Sequence, residues 1–205
     1  FELALAKVKS SIDAKDTPRR DAHLVELVRA ANGNPARLRS AAEMAEGQGS
    51  LEVAIDAWNR LEKLPGQSTV ALRALQRVAD RRGDTWSARE AAQRTLRSGA
   101  SIPSLKLEIA YYDILLDENL ENALTEAQAY VAQYPMDFFA RAVVALAHLR
   151  LGAPDKARTA LLRSIPDEPQ PRADALAVLV ATYGQNGLPV RAREIAARIP
   201  LERLR

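Results

Sequence analysis

Arg73, Arg77 and Arg81 recur every four residues, a spacing that sets three permanent positive charges on one face of a helix. Arg39 stands at the matching place one period earlier. Guanidinium forks bind carboxylates in pairs, so this row can hold an acidic stretch of a partner, or it can be neutralised within the chain. The internal candidates are Asp80 and Asp84 nearby, with Glu43, Glu46 and Glu108 on neighbouring helices. Both readings stay open at this level. From Ala71 to Ser98 there are seven basic and three acidic residues, a net of +4; from Ser101 to Asp137 there are one Lys and seven acidic residues, a net of −6. Adjacent blocks of opposite sign either neutralise each other or order a partner of complementary charge.

Residues suited to catalysis or metal binding are few. His23 and His148 are the only histidines, and neither lies in an H-E-x-x-H or similar ligand arrangement; His148 reads as a packed side chain. The absence of Cys removes thiol nucleophiles, thiolate metal sites and disulfides. No phosphate-cradling glycine motif occurs, and Gly47-Gln48-Gly49-Ser50 reads as a helix stop. Asp117-Glu118 reads as a solvated turn. Arg82-Gly83-Asp84 matches an integrin-recognition tripeptide, but Gly83 and Asp84 are accounted for as a helix stop and the N-cap that follows. The chain therefore reads as a non-enzyme with no cofactor and no metal site. A formal charge of +3 from 29 basic and 26 acidic residues describes a mixed-sign surface, more balanced than a dedicated nucleic-acid binder carries.

A second candidate surface is apolar. Tyr112, Leu115, Phe139, Leu146 and Leu149 fall where the helical register described below places an open face, forming an apolar floor beside the basic wall. A one-residue shift would return most of them to the core. The candidate partner-binding residues are thus Arg39, Arg73, Arg77, Arg81, Tyr112, Phe139 and Leu146.

These side chains need elements to position them. Of the 205 residues, 47% are hydrophobic, much of that Ala, and only 5% are aromatic. Such a mixture favours helix over sheet. Small anchors at Ala22, Ala54, Ala88, Ala123, Ala157 and Ala192 are separated by 32, 34, 35, 34 and 35 residues. Turn signals precede several of them at the same spacing: Gly49-Ser50, Gly83-Asp84, Gly152-Ala153-Pro154 and Gly187-Leu188-Pro189. Gly ends a helix in the left-handed conformation, Ser50 or Asp84 caps the next one, and Pro154 and Pro189 suit a first helical turn. Breakers at Leu64-Pro65, Tyr134-Pro135, Ile165-Pro166 and Ile199-Pro200 close the units. The spacing predicts one array of about six helical hairpins, over 1–34, 35–67, 68–102, 103–136, 137–170 and 171–205.

These units resemble the tetratricopeptide repeat family, whose pattern is W-x2-L-G-x2-Y, then A-x3-F, then P. The fifth unit offers Val144-Ala145 for L-G, His148 for Tyr, Ala157 and Leu161 for A-x3-F, and Pro169. The second offers Leu38, Ala41-Ala42, Ala45, Ala54 and Trp58; the sixth offers Leu176, Leu179-Val180, Tyr183 and Ala192. The first-helix Trp is absent, and Gln76, Tyr111 and Val180 fall where a small residue is expected. The resemblance implies an all-α fold, a right-handed alpha-alpha superhelix, in which stacked hairpins bury apolar stripes that none could bury alone. It also implies a scaffold that binds a partner protein or peptide in a concave groove. The chaperone-binding members grip a terminal carboxylate with Lys and Asn; here Arg77 and Ile109 occupy the Asn places, which argues against that role.

The chain opens at Phe1 and closes on Leu201-Glu202-Arg203-Leu204-Arg205, which reads as the start of another helix, so the whole reads as a fragment of a longer protein with any targeting segment outside it. Its longest apolar stretch, Ala175 to Tyr183, is well short of the roughly 18 residues a membrane span needs. The 23 Arg against 6 Lys, with abundant Ala, suggest a GC-rich bacterial genome. The leading expectation is a scaffold in a bacterial secretion or exopolysaccharide-export assembly, in periplasm or cytoplasm. The alternative is a helical sensor or regulatory module of a larger transcription regulator or enzyme.

Overall fold

The computed structural model of the chain describes residues 1–161 and 172–199, and among these it contains twelve helices and no strand. The helices fall into two compact units, Phe1–Ser101 and Ile102–Arg205. The first unit holds α1 (Glu2–Asp13), α2 (Thr17–Ala30), α3 (Pro35–Gly47), α4 (Leu51–Glu62), α5 (Ser68–Arg82) and α6 (Thr85–Arg97). The second holds α7 (Leu105–Leu115), α8 (Leu120–Gln133), α9 (Phe138–Arg150), α10 (Pro154–Leu161), α11 (Ala173–Gln185) and α12 (Pro189–Ala196). In both units each odd-numbered helix packs against the even-numbered helix that follows it.

One hydrogen bond repeats at every such hairpin. The backbone N–H of Asp16, Ser50, Asp84, Glu118, Ala153 and Leu188 donates to the carbonyl five residues back, on Ser11, Ala45, Ala79, Asp113, His148 and Tyr183, at 2.8 to 3.0 Å. This six-to-one bond closes a helix whose next residue is left-handed. Gly49, Gly83, Gly152 and Gly187 supply that conformation in four joints, with φ between 68° and 76°. In the other two it falls to Lys15 (φ 54°) and Asp117 (φ 59°), which an L side chain adopts at a cost. The donors are spaced by 34, 34, 34, 35 and 35 residues, so the period is written in the backbone even where the sequence lacks Gly.

These joints correct the register at two places. Ala22, taken as the first anchor, is exposed; the residue 34 before Ala54 is Arg20, whose side chain donates to Asp21 (2.8 Å) and Ser50 (3.4 Å). The small position three residues before each acceptor is occupied by Ala42, Ala110 and Ala145, and by the larger Val8, Gln76 and Val180. In the fourth hairpin the small residue is thus the buried Ala110 and not Tyr111. Ala54, Ala88, Ala123, Ala157 and Ala192 are buried.

Some helix starts follow their capping chemistry and others, at Ser50, Ser104 and Asn119, do not. Asp84 caps α6 by accepting the Ser87 N–H (3.0 Å), and Asp137 caps α9 by accepting that of Ala140 (3.0 Å). Ser50 occupies the N-cap of α4, but its hydroxyl donates to Asp21 (2.6 Å) across to α2 and does not cap. Pro154 and Pro189 each open a helix.

The first unit has one core cluster that includes Leu24, Leu27, Trp58 and Leu61, while the second has two, around Leu107, Ile114 and Val143 and around Phe138, Leu176 and Leu179. The breakers Ile165-Pro166 and Pro200, together with Pro169 and Leu201–Arg205, lie outside the described residues.

Candidate protein-binding faces

In the first unit the arginine row of α5 turns toward α3. Arg77 sets its Nε on Glu46 Oε1 and its Nη2 on Glu46 Oε2, both at 2.8 Å, and Arg81 Nη1 reaches Glu46 Oε1 at 3.2 Å. The Glu46 side chain is only 9% exposed, whereas those of Arg77 and Arg81 are 54% and 49% exposed. The hydrogen bond from Arg77 is the main force holding the Glu46 carboxyl below its ordinary range, against the opposing effect of burial. The same contact raises Arg77. One turn earlier, Arg73 Nη1 donates to Oε1 of the buried Gln76 at 2.6 Å. Gln76, at a small-residue position, thus uses its amide oxygen to orient an arginine.

Of the internal partners expected from sequence, Glu46 holds both Arg77 and Arg81. Asp84 is committed to the α6 cap, and Glu43 accepts from Arg39 Nε at 2.8 Å, four residues away on the same helix. Arg39 is therefore an exposed intrahelical pair, worth a few tenths of a kcal/mol by analogy with such pairs, about 0.3–0.5. Three like charges on successive turns are tolerated because a buried carboxylate of the neighbouring helix draws two of them in. Across α3 and α5 together, six arginines (37, 39, 73, 77, 81, 82) stand against Glu43, Glu46 and Asp80, a net of +3.

Of the apolar floor expected in the second unit, Tyr112 lies in the core, Phe139, Leu146 and Leu149 are partly buried, and Leu115 is 36% exposed. Tyr112 is 5% exposed, because the corrected register aligns it with Val78, Ala147 and Thr182, all buried. The half-buried Tyr111 takes the place that Arg77 and Leu146 hold in their hairpins, and its ring meets Phe139 edge-on at 5.3 Å. Phe139 is itself covered by Arg172, whose guanidinium lies 3.7 Å from the ring centroid and is held by both oxygens of Asp174. Leu146 and Leu149 are partly buried against the second unit's core. A cleft of about 340 Å³ opens here, lined by Leu107, Glu108, Asp137, Phe139 and Arg172 among others. Nothing in the spacing of Arg172 pointed to its stacking, since the contact joins residues 33 apart in the chain.

One further feature escapes sequence patterns. Between α4, α5 and α6 lies another cleft of about 340 Å³, floored by Ile55, Leu75, Ala79 and Ala91 and rimmed by Trp86, which is 58% exposed. The Arg82-Gly83-Asp84 tripeptide is bound into this hairpin: Arg82 pairs with Glu52 at 2.9 Å and Asp84 caps α6. Burial lowers the His148 pKa, with Lys156 adding to it, and His23 Nδ1 lies 3.4 Å from the Ser11 hydroxyl. Among the described residues no group of three or more His, Asp and Glu is arranged to hold a metal, and no helix is long and apolar enough to cross a membrane.

No family model matches the chain, and no curated protein matches it. Solved structures do. A tetratricopeptide repeat protein from Parabacteroides merdae is 14% identical, over 97% of this chain and 91% of that one, with a TM-score of 0.60. MamA from Desulfovibrio magneticus is 16% identical, over 80% and 92%, with a TM-score of 0.62. YrrB, a tetratricopeptide protein described as having an unusual peptide-binding site, is 18% identical, over 84% and 88%, with a TM-score of 0.57. Identities this low establish the fold, and the fold is that of tetratricopeptide-like helical hairpins.

Proposed function

We propose that the chain is a protein-binding scaffold that docks an acidic segment of a partner on the α3–α5 face of its first unit, with Arg73, Arg77 and Arg81 as polar anchors. The observation that carries this is the sharing of one buried carboxylate, Glu46, by two half-exposed arginines. Glu46 fixes the guanidiniums in place without cancelling their combined charge, so the entropy of ordering two long side chains is largely met before a partner arrives. The likeness to YrrB, whose description names a peptide-binding site, supports a binding role for this type of fold.

The test leaves the Arg77–Glu46 pair intact. Arg73→Gln with Arg81→Gln removes two charges, and the double variant should lose a partner captured by the wild-type protein while its circular dichroism and melting temperature stay close to wild type. A partner retained by the double variant places recognition elsewhere, and the Trp86 cleft becomes the site to test. Capture of DNA or RNA with steep salt dependence would replace the acidic protein by a nucleic acid.

A further inference from the structure

Beside the cleft between α4, α5 and α6 stands a large apolar side chain that does not fill it. Trp86 lies in the first turn of α6, next to the Asp84 cap that fixes where the helix starts, and it is 58% exposed. The other tryptophan, Trp58, is buried. Ile55, Leu75, Ala79 and Ala91 give the cleft an apolar floor, and its volume is about 340 Å³. That is near the small end of ligand pockets, about 300–1,000 Å³, and suits one large side chain. Tryptophan is enriched among the residues that carry interface energy, and such residues fill pockets in the partner.

The charges at the rim select the occupant. Glu52, Asp84 and Glu90 stand against Arg82 and Arg94, a net of −1, and each is already engaged within the unit. Arg82 pairs with Glu52 and Glu90 with Arg97, both at 2.9 Å, while Arg94 pairs with Glu62 and Asp84 caps α6. A strongly acidic or basic partner finds no complementary field here, in contrast to the α3–α5 face with its net of +3. A second copy brings the same balanced set, whereas two copies of the α3–α5 face would repel. Knob and hole also lie on one patch. Under a two-fold rotation every contact is made twice, so each Trp86 can enter the cleft of the other protomer.

We infer that this face is a self-complementary interface through which two copies of the chain pair about a two-fold axis, Trp86 of each protomer seated in the cleft of its partner. It is separate from the acidic-partner face proposed above. A buried aromatic side chain contributes about 150–250 Å², so exchanging two rings covers a few hundred Å² before the rims are counted, against roughly 1,200–2,000 Å² for stable interfaces. The dimer is therefore weak and concentration-dependent, with a Kd of about 10–100 μM.

Sedimentation equilibrium of the full chain tests this, with Trp86 emission as a second readout because Trp58 is buried. The wild type should dimerise, and its emission should move to shorter wavelength as concentration rises. Trp86→Ser should weaken pairing at least about tenfold, with circular dichroism and melting temperature close to wild type because the side chain is exposed. Asn59→Phe, which sets a ring in the cleft and leaves Trp86 in place, should do the same. Pairing should persist in about 1 M salt, where the Debye length is about 3 Å. A wild type that stays monomeric at millimolar concentration overturns the inference, as does undiminished pairing in Trp86→Ser. Loss in Trp86→Ser with full pairing in Asn59→Phe overturns the seating in the cleft, and dissociation by salt overturns it by assigning the pairing to the charged faces. A monomer whose Trp86 emission shifts only when another protein is added overturns the second copy in favour of that occupant.

Discussion

Arg77 and Glu46 meet across 31 residues of sequence in a bidentate pair whose two N–O distances are both 2.8 Å, with the carboxylate buried and the guanidinium half in solvent. The pair joins first helices of consecutive hairpins, so one interaction ties the two hairpins together and orders the arginines of the proposed binding face.

Its contribution should depend on pH. The folded-state pKa of Glu46 lies below the ordinary 4.5, so the charged form is favoured by folding. The stabilisation is complete above about pH 4.5 and is lost as pH falls through the depressed folded value. Glu46→Gln should cost about 1 to 2 kcal/mol at neutral pH, the solvent around the arginines keeping it at the low end. Denaturant melts of both proteins at pH 7 and pH 3 should show the gap closing at the lower value; a constant gap would mean that packing, and not charge, is what the substitution removes.

The helix crossings provide a second test. Ala88 and Ala157 have no exposed surface, and replacing either with Leu should overpack a crossing and destabilise the protein by roughly 1–3 kcal/mol. Ala22→Leu should shift stability by no more than about 0.5 kcal/mol, because that residue is exposed. Thermal melts of the three variants separate the register of the backbone joints from that of the alanines; equal costs would mean that Ala22 is a crossing after all.

The joints themselves can be altered. Lys15 holds a left-handed φ of 54°, which costs an L residue about 1–2 kcal/mol, whereas Gly adds about 0.5–1 kcal/mol of chain entropy. Lys15→Gly should therefore stabilise the first unit by about 0.5–1 kcal/mol. Gly83→Ala should destabilise by about 1 kcal/mol through φ alone, since a Cβ there would meet no atom within 4 Å. Urea titrations showing the opposite sign for either substitution would contradict the assigned conformation.

Hairpin architecture was legible in the sequence because it is set by local terms: Ala-rich helical stretches, a left-handed Gly at four of six joints, Pro at helix starts and a period near 34. The arginine row was legible for the same reason, since four-residue spacing fixes a helical face. Tertiary structure decided what depends on contacts between residues far apart in the chain. Where Lys15 and Asp117 replace Gly, no glycine marked the joint, and although Asp117-Glu118 read as a turn, the backbone bonds fixed its place. An error of one residue on a helix rotates a side chain by about 100°, enough to exchange Tyr112, which is buried, with Tyr111, which is not. In the same way, Glu46 became the shared partner of Arg77 and Arg81 because it is a carboxylate that α3 buries within reach of both guanidiniums.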